Sequence, residues 1–145
     1  MGSLDLSVWI KATPAQVWRV YVDPSRVPDW QTGKPVVTRV EGAPGQVGST
    51  YVSSRGRLSA TTVVLSAESP SELVTRTDAS FGLRLDVTSR LDEESGGTQL
   101  RIHARARWRP SLAPIARLAE LAILNPREGR KELANLKSLV EQLHP

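Results

Sequence analysis

Residues 98–109 read TQLRIHARARWR and alternate without a break. Leu100, Ile102, Ala104, Ala106 and Trp108 fall on one side. Gln99, Arg101, His103, Arg105, Arg107 and Arg109 fall on the other. Successive side chains of a strand point to opposite faces, so this is a half-buried strand with one wet face. The period then changes. From Ser111 to Leu143, apolar residues recur at helical spacing: Leu112, Ile115, Ala116, Ala119, Ala122 and Ile123, then Leu133, Leu136, Val140 and Leu143. Pro126, preceded by Asn125, removes a backbone donor and is expected to kink or break that helix. A sheet that is apolar on one side needs a cover, and this helix is the only element long enough to supply it.

Reading back toward the N-terminus completes the sheet. Residues 3–11 alternate, with Leu4, Leu6, Val8 and Ile10 on one face and Asp5, Ser7, Trp9 and Lys11 on the other. Thr13-Pro14 opens a short helix with an apolar side of Val17, Trp18 and Tyr21, and Asp23-Pro24 ends it. Ser25 to Trp30 reads as a further short helical turn. Five strand-like segments follow, at roughly 35–41, 47–55, 58–68, 72–79 and 82–93, each closed by a Gly- or Ser-rich turn. Short turns between neighbours predict antiparallel hairpins. The expected architecture is α+β: a curved antiparallel sheet of about seven strands around a long C-terminal helix, with two short helices after strand 1. One domain spanning 1–145 is expected.

Composition narrows the chemistry. The 145 residues are 39% hydrophobic and 23% charged, which is a globular balance. There is no cysteine, so disulfides, thiolate metal sites, a Cys nucleophile and a Rieske centre are excluded. The only histidines are His103 and His144, and neither stands at metal-ligand spacing, so no metal and no cofactor are expected. His103 falls on the wet face of its strand. No P-loop or dinucleotide motif occurs. The net charge of +4 lies within the range of about 2–8 that keeps a small domain soluble. No stretch reaches the roughly 18 apolar residues of a membrane span, and the opening MGSLDLSVWIKATP lacks the pattern of a signal peptide. A cytoplasmic location is expected.

Five short motifs resemble, in order, those of the START-like polyketide cyclase/dehydrase superfamily, the SRPBCC or Bet v 1-like helix-grip fold. Ile10 to Trp18 is similar to its opening I-x-A-x-P-x-x-V-W. Asp23 to Trp30 resembles its second helix. Gly45 to Ser49 is similar to the glycine turn entering the third strand, and Gly97 to Leu100 to the G-G-T-x-L turn before the last. Leu133 to Glu141 resembles the closing L-x-x-L-K-x-x-V-E. Each motif is a turn, cap or core position, so together they speak for the fold and not for an activity. The resemblance implies a ligand cavity between sheet and helix. It implies a hydrophobic small molecule as ligand, and three functional classes: a metal-free polyketide cyclase, aromatase or dehydratase, a non-catalytic carrier of lipid-like molecules, or an interaction module of the hydrolase-activator type.

Small residues facing each other, Ala104 and Ala106 on the last strand and Ala116, Ala119 and Ala122 on the helix, either let the backbones approach or leave space, and the resemblance favours space. Expected ligand contacts are Leu83, Leu85, Val87, Ser89, Leu100, Ile102, Ala104, Ala106 and Trp108 from the sheet. The helix adds Ile115, Leu118, Ala119 and Ala122, and Trp30 and Tyr51 are expected near the mouth. Candidates for polarising a carbonyl or moving a proton are Tyr51, Arg55, Arg76, Asp78 and Ser89. The strand at 72–79 has no clean period, so the pattern leaves open whether Thr75 or Arg76 points inward. On the outer face, Trp9 stands among Arg101, Arg105 and Arg107. Either arginine stems pack on the indole, or the patch docks an acidic carrier protein or a second copy. Nucleic acid is not expected, because the sheet carries no run of exposed aromatics.

Overall fold

The computed structural model describes residues 2–108 and 124–145. Seven strands form one antiparallel sheet: β1 (Gly2–Ile10), β2 (Val36–Glu41), β3 (Thr50–Arg55), β4 (Leu58–Glu68), β5 (Glu72–Ala79), β6 (Leu83–Glu94) and β7 (Gly97–Trp108). Their spatial order is β1-β7-β6-β5-β4-β3-β2, so every strand from β2 onward pairs with its sequence neighbour and β1 closes on β7. Helix α1 (Pro14–Tyr21) and the single turn α2 (Val27–Trp30) lie between β1 and β2, and α3 (Pro126–Leu143) follows β7. This is the expected helix-grip architecture. The predicted helical stretch before Pro126, with Ile115, Leu118, Ala119 and Ala122, lies outside the described residues.

Local chemistry explains where the helices start. Thr13 and Gln16 form a reciprocal capping box: the Gln16 N–H donates to Thr13 Oγ1 (3.2 Å), and the Thr13 N–H donates to Gln16 Oε1 (2.9 Å). Pro14 occupies the first helical position, where its missing N–H costs nothing. The same device starts α3: Asn125 Oδ1 accepts from the Arg127 N–H at 3.0 Å, and Pro126 is the first helical residue. Pro126 therefore marks a helix start, which is the break its chemistry demands.

The core is dense at one end of the sheet. Ile10, Val17, Leu100, Leu136 and Val140 are each fully buried, and Leu73, Leu91 and Leu133 pack into the same cluster. Thr98 is sealed there too, and its hydroxyl donates to the Ala12 carbonyl at 2.8 Å. Gly97 makes the β1–β7 approach possible. A Cβ at this position would stand 2.5 Å from the Ile10 carbonyl oxygen and 2.6 Å from the Trp9 ring. Gly97→Ala is expected to destabilise the fold by about 1–3 kcal/mol through overpacking. Urea unfolding followed by circular dichroism checks this, and an unchanged midpoint would mean the strands separate freely there.

The outer face of β5, β6 and β7 is a ladder of in-register ion pairs. Arg84 donates to Asp78 (2.7 Å), Arg76 to Asp86 (2.9 Å) and Arg90 to Glu72 (2.9 Å), each pair directly opposite across β5 and β6. Arg107 also binds Asp86, and Arg101 reaches Asp92 and Glu94 at 3.3 Å. Burial pushes the Asp86 carboxyl up, but hydrogen bonds from Arg76 and Arg107 outweigh it and hold the group below its ordinary range. Exposed pairs of this kind contribute about 0–1 kcal/mol each. Their larger consequence is that Arg101 and Arg107 are charge-compensated. Trp9 donates its indole N–H to the Glu94 carbonyl (2.8 Å), and Lys137 Nζ lies 5.1 Å from the ring centroid. The indole is thus tied to the β6–β7 turn and to α3.

Candidate functional site

Beside this core, with Leu73 and Leu133 belonging to both, a cavity of about 250 Å³ opens between sheet and α3. Its apolar wall comes from Leu4 and Leu6 of β1, Leu73 of β5, Leu85 and Val87 of β6, and Ile102 and Ala104 of β7. Tyr21 and Trp30, at the ends of α1 and α2, meet there with ring centroids 5.8 Å apart. Tyr51, Thr62, Thr75 and Thr77 line it from β3, β4 and β5, and Gly129, Glu132 and Leu133 from α3.

The polar groups form two hydrogen-bonded sets. The Tyr21 hydroxyl shares a 2.7 Å bond with Ser89 Oγ, which is itself sealed from solvent. Burial pushes the Tyr21 phenol up to about 12, and the Ser89 bond only partly offsets this. On the facing strands, Thr62 Oγ1 and Thr77 Oγ1 share a 2.8 Å bond. Tyr51 stands opposite Thr62 in the β3–β4 register, and burial raises its phenol as well, against a smaller lowering by the Thr62 hydroxyl. Both tyrosines are therefore neutral near pH 7. As protonated phenols they can donate or accept a hydrogen bond. The Trp30 indole nitrogen is buried with no hydrogen-bond partner among the described residues.

Glu132 projects from α3 to the same space. It accepts from the Thr32 backbone N–H at 3.1 Å. Burial raises its carboxyl above the usual range, while that bond and the Arg55 guanidinium pull it partly back. It is the only carboxylate lining the cavity among the described residues. Arg55, at the end of β3, is exposed at the rim, where its guanidinium packs over Gly33: a Cβ on Gly33 would lie 3.1 Å from it.

Of the residues expected from sequence, Trp30, Tyr51, Leu85, Val87, Ile102 and Ala104 line the cavity together. Ser89 sits behind its wall and reaches it through Tyr21. Leu100 lies in the dense core, and Ala106 is buried without lining the cavity. Leu83 and Trp108 border a separate open groove with Asp78, Arg84 and Arg107. Two catalytic candidates are corrected. Arg76 and Asp78 face outward, paired with Asp86 and Arg84, while Thr75 and Thr77 take the inward positions. The reason is electrostatic: outside, a residue of opposite charge stands across from each, Asp86 from Arg76 and Arg84 from Asp78, whereas inside each would be a buried charge. His103 likewise lies outward, with Nδ1 2.7 Å from Asp5.

Tyr21, Thr62, Thr77 and Glu132 were not expected at the site. Periodicity scores threonine as polar and so hides the inward run Leu73, Thr75, Thr77. Glu132 carries a signal of a kind: it is three residues after Gly129 and four before Leu136, on the buried face of α3. No cluster of His, Asp and Glu fit to hold a metal occurs among the described residues. No helix among them is long and apolar enough to cross a membrane.

No curated protein matches this chain. Among solved structures it is similar to a protein from Rhodobacter sphaeroides, 24% identical, covering 98% of this chain and 93% of that one, with a TM-score of 0.74. Protein MLL2253 from Mesorhizobium loti is 19% identical, covering 97% of this chain and 98% of that one, at a TM-score of 0.73. DynU16, from the dynemicin biosynthetic locus, is 20% identical over 96% of this chain and 47% of that one, at 0.70. At such identities these likenesses establish the fold alone. The sequence itself goes further, because the family model for polyketide cyclase/dehydrase and lipid transport matches residues 1–141. The chain belongs to the polyketide cyclase/dehydrase and lipid transport family.

Proposed function

We propose that the protein binds a small, mostly apolar, carbonyl-bearing molecule in the cavity and acts on it as a metal-free cyclase or dehydratase. The observation that carries this reading is the pair of neutral phenols, Tyr21 and Tyr51, backed by Ser89 and Thr62 on the wall of a mostly apolar cavity. A carrier of lipid-like molecules needs only apolar lining. Here hydrogen-bonding side chains line the cavity from α1, β3, β4, β5 and α3, with Ser89 of β6 behind Tyr21. A neutral phenol is a fixed donor to a carbonyl oxygen, and its bond strengthens as that oxygen gains charge on enolisation. An apolar cavity of about 150 Å³ accommodates benzene, so about 250 Å³ suits a one- or two-ring molecule. The interaction-module reading fares worse, because acids on the same sheet compensate Arg101 and Arg107.

Native mass spectrometry of protein purified from its own host, paired with denaturing extraction, tests the reading. The expected result is a discrete bound molecule of one or two rings carrying a carbonyl or phenol. A clean apo mass, with no binding from a panel of aromatic ketones and fatty acids, would overturn it. A bound long-chain fatty acid would favour the carrier.

A further inference from the structure

We propose that Glu132 is the proton-transfer group of this cavity, taking a proton from carbon next to the carbonyl of a bound one- or two-ring ketone. The inference rests on the ligand-binding reading above and adds a role for this residue of α3. Three observations support it. Glu132 is the only carboxylate lining the cavity among the described residues. Its position is held from outside the helix by the Thr32 N–H, so the side chain is oriented before any ligand arrives. The neutral phenols of Tyr21 and Tyr51 line the same cavity from α1 and β3, so that one group takes the proton while another steadies the developing oxyanion.

Burial makes the carboxylate a stronger base than one in water, and a base works best with a pKa close to the working pH. The groups that act on Glu132 are Arg55 from β3, Glu128 one turn earlier on α3 and Tyr21 from α1, with the Thr32 N–H as a non-titrating donor. The step balances without a co-reactant. The carboxylate takes the proton, the C–H electron pair moves into the C–C bond, and the carbonyl pair moves onto oxygen as an enolate. Return of a proton to carbon or oxygen regenerates the carboxylate. In D₂O the carboxyl proton exchanges with solvent, so the ketone returns deuterated.

The probe is 2-tetralone, a two-ring ketone that reports two events separately. Quenching of tryptophan fluorescence measures its binding, and loss of its α-proton NMR signal in D₂O measures proton transfer. The wild type is expected to bind the probe and to exchange its α-protons faster than the same concentration of acetate does. Glu132→Gln should keep affinity within about twofold and lose about 100-fold in exchange rate, the low end for removal of a general base. Glu132→Asp should recover part of that rate. Exchange in the wild type should rise with pH and level off above the raised carboxyl pKa. Equal exchange by wild type and Glu132→Gln, with binding intact in both, overturns the role of Glu132 and leaves the ligand-binding reading standing. So does a wild type that binds the probe without accelerating exchange. Failure of the wild type to bind 2-tetralone overturns both.

Discussion

Ala104→Trp is expected to weaken binding of 2-tetralone by about 100-fold, a loss of about 2.7 kcal/mol, while leaving the fold in place. Ala104 is buried, lines the cavity from the middle of β7 and has Leu4 and Val87 as its partners on β1 and β6. A benzene-sized group fills about 150 Å³. An indole is larger and would take more than half of the 250 Å³ available. The space exists, so the added ring has somewhere to go, and the typical overpacking cost of about 1–3 kcal/mol is an outer guide here. Fluorescence titration gives the affinity, and circular dichroism with urea unfolding gives the state of the fold. Unchanged affinity in a folded variant would place the ligand outside this cavity and sink the functional reading with it.

That prediction could be framed from sequence because β7 is the most regular part of the chain. From Gln99 to Arg107 its outward residues are charged or polar at every step, and from Leu100 to Trp108 its inward ones are apolar, so the register is unambiguous. The architecture was legible for the same reason: strand alternation, turn glycines, the Thr13-Pro14 cap and the interruption at Asn125-Pro126 are local signals, and each acts where it is written. The site was legible only in part. Leu85, Val87, Ile102 and Ala104 lie on alternating strands and follow from their period. Thr62, Thr75 and Thr77 do not, because threonine is at home on either face of a sheet and the inner face here is not purely apolar. On β5 the outward placement of Arg76 and Asp78 is decided by partners on another strand, Asp86 and Arg84, which alternation within β5 cannot reveal. Glu132 depends on long-range placement too, since the N–H that holds it belongs to Thr32, 100 residues earlier.

Leu136→Ala is expected to cost about 2–5 kcal/mol of stability, the range for a leucine truncated in a packed core. Leu136 is fully buried on α3, and it shares its cluster with Ile10, Val17, Leu100 and Val140. That cluster borders the cavity through Leu73 and Leu133, and beyond them Gly97 brings β1 and β7 close and Thr98 ties β7 to Ala12. A small domain has roughly 5–15 kcal/mol in total, so this single change removes a large share. Urea unfolding should show a lower midpoint with an unchanged slope. Under conditions where the variant stays folded, its affinity for 2-tetralone should match the wild type, because Leu136 does not line the cavity. The two substitutions thus act oppositely: one fills the cavity and spares the core, the other opens the core and spares the cavity. A Leu136→Ala variant losing less than about 1 kcal/mol would mean the packed end can collapse around the missing side chain. One that stayed folded but lost the ligand would mean core and cavity are a single cooperative unit.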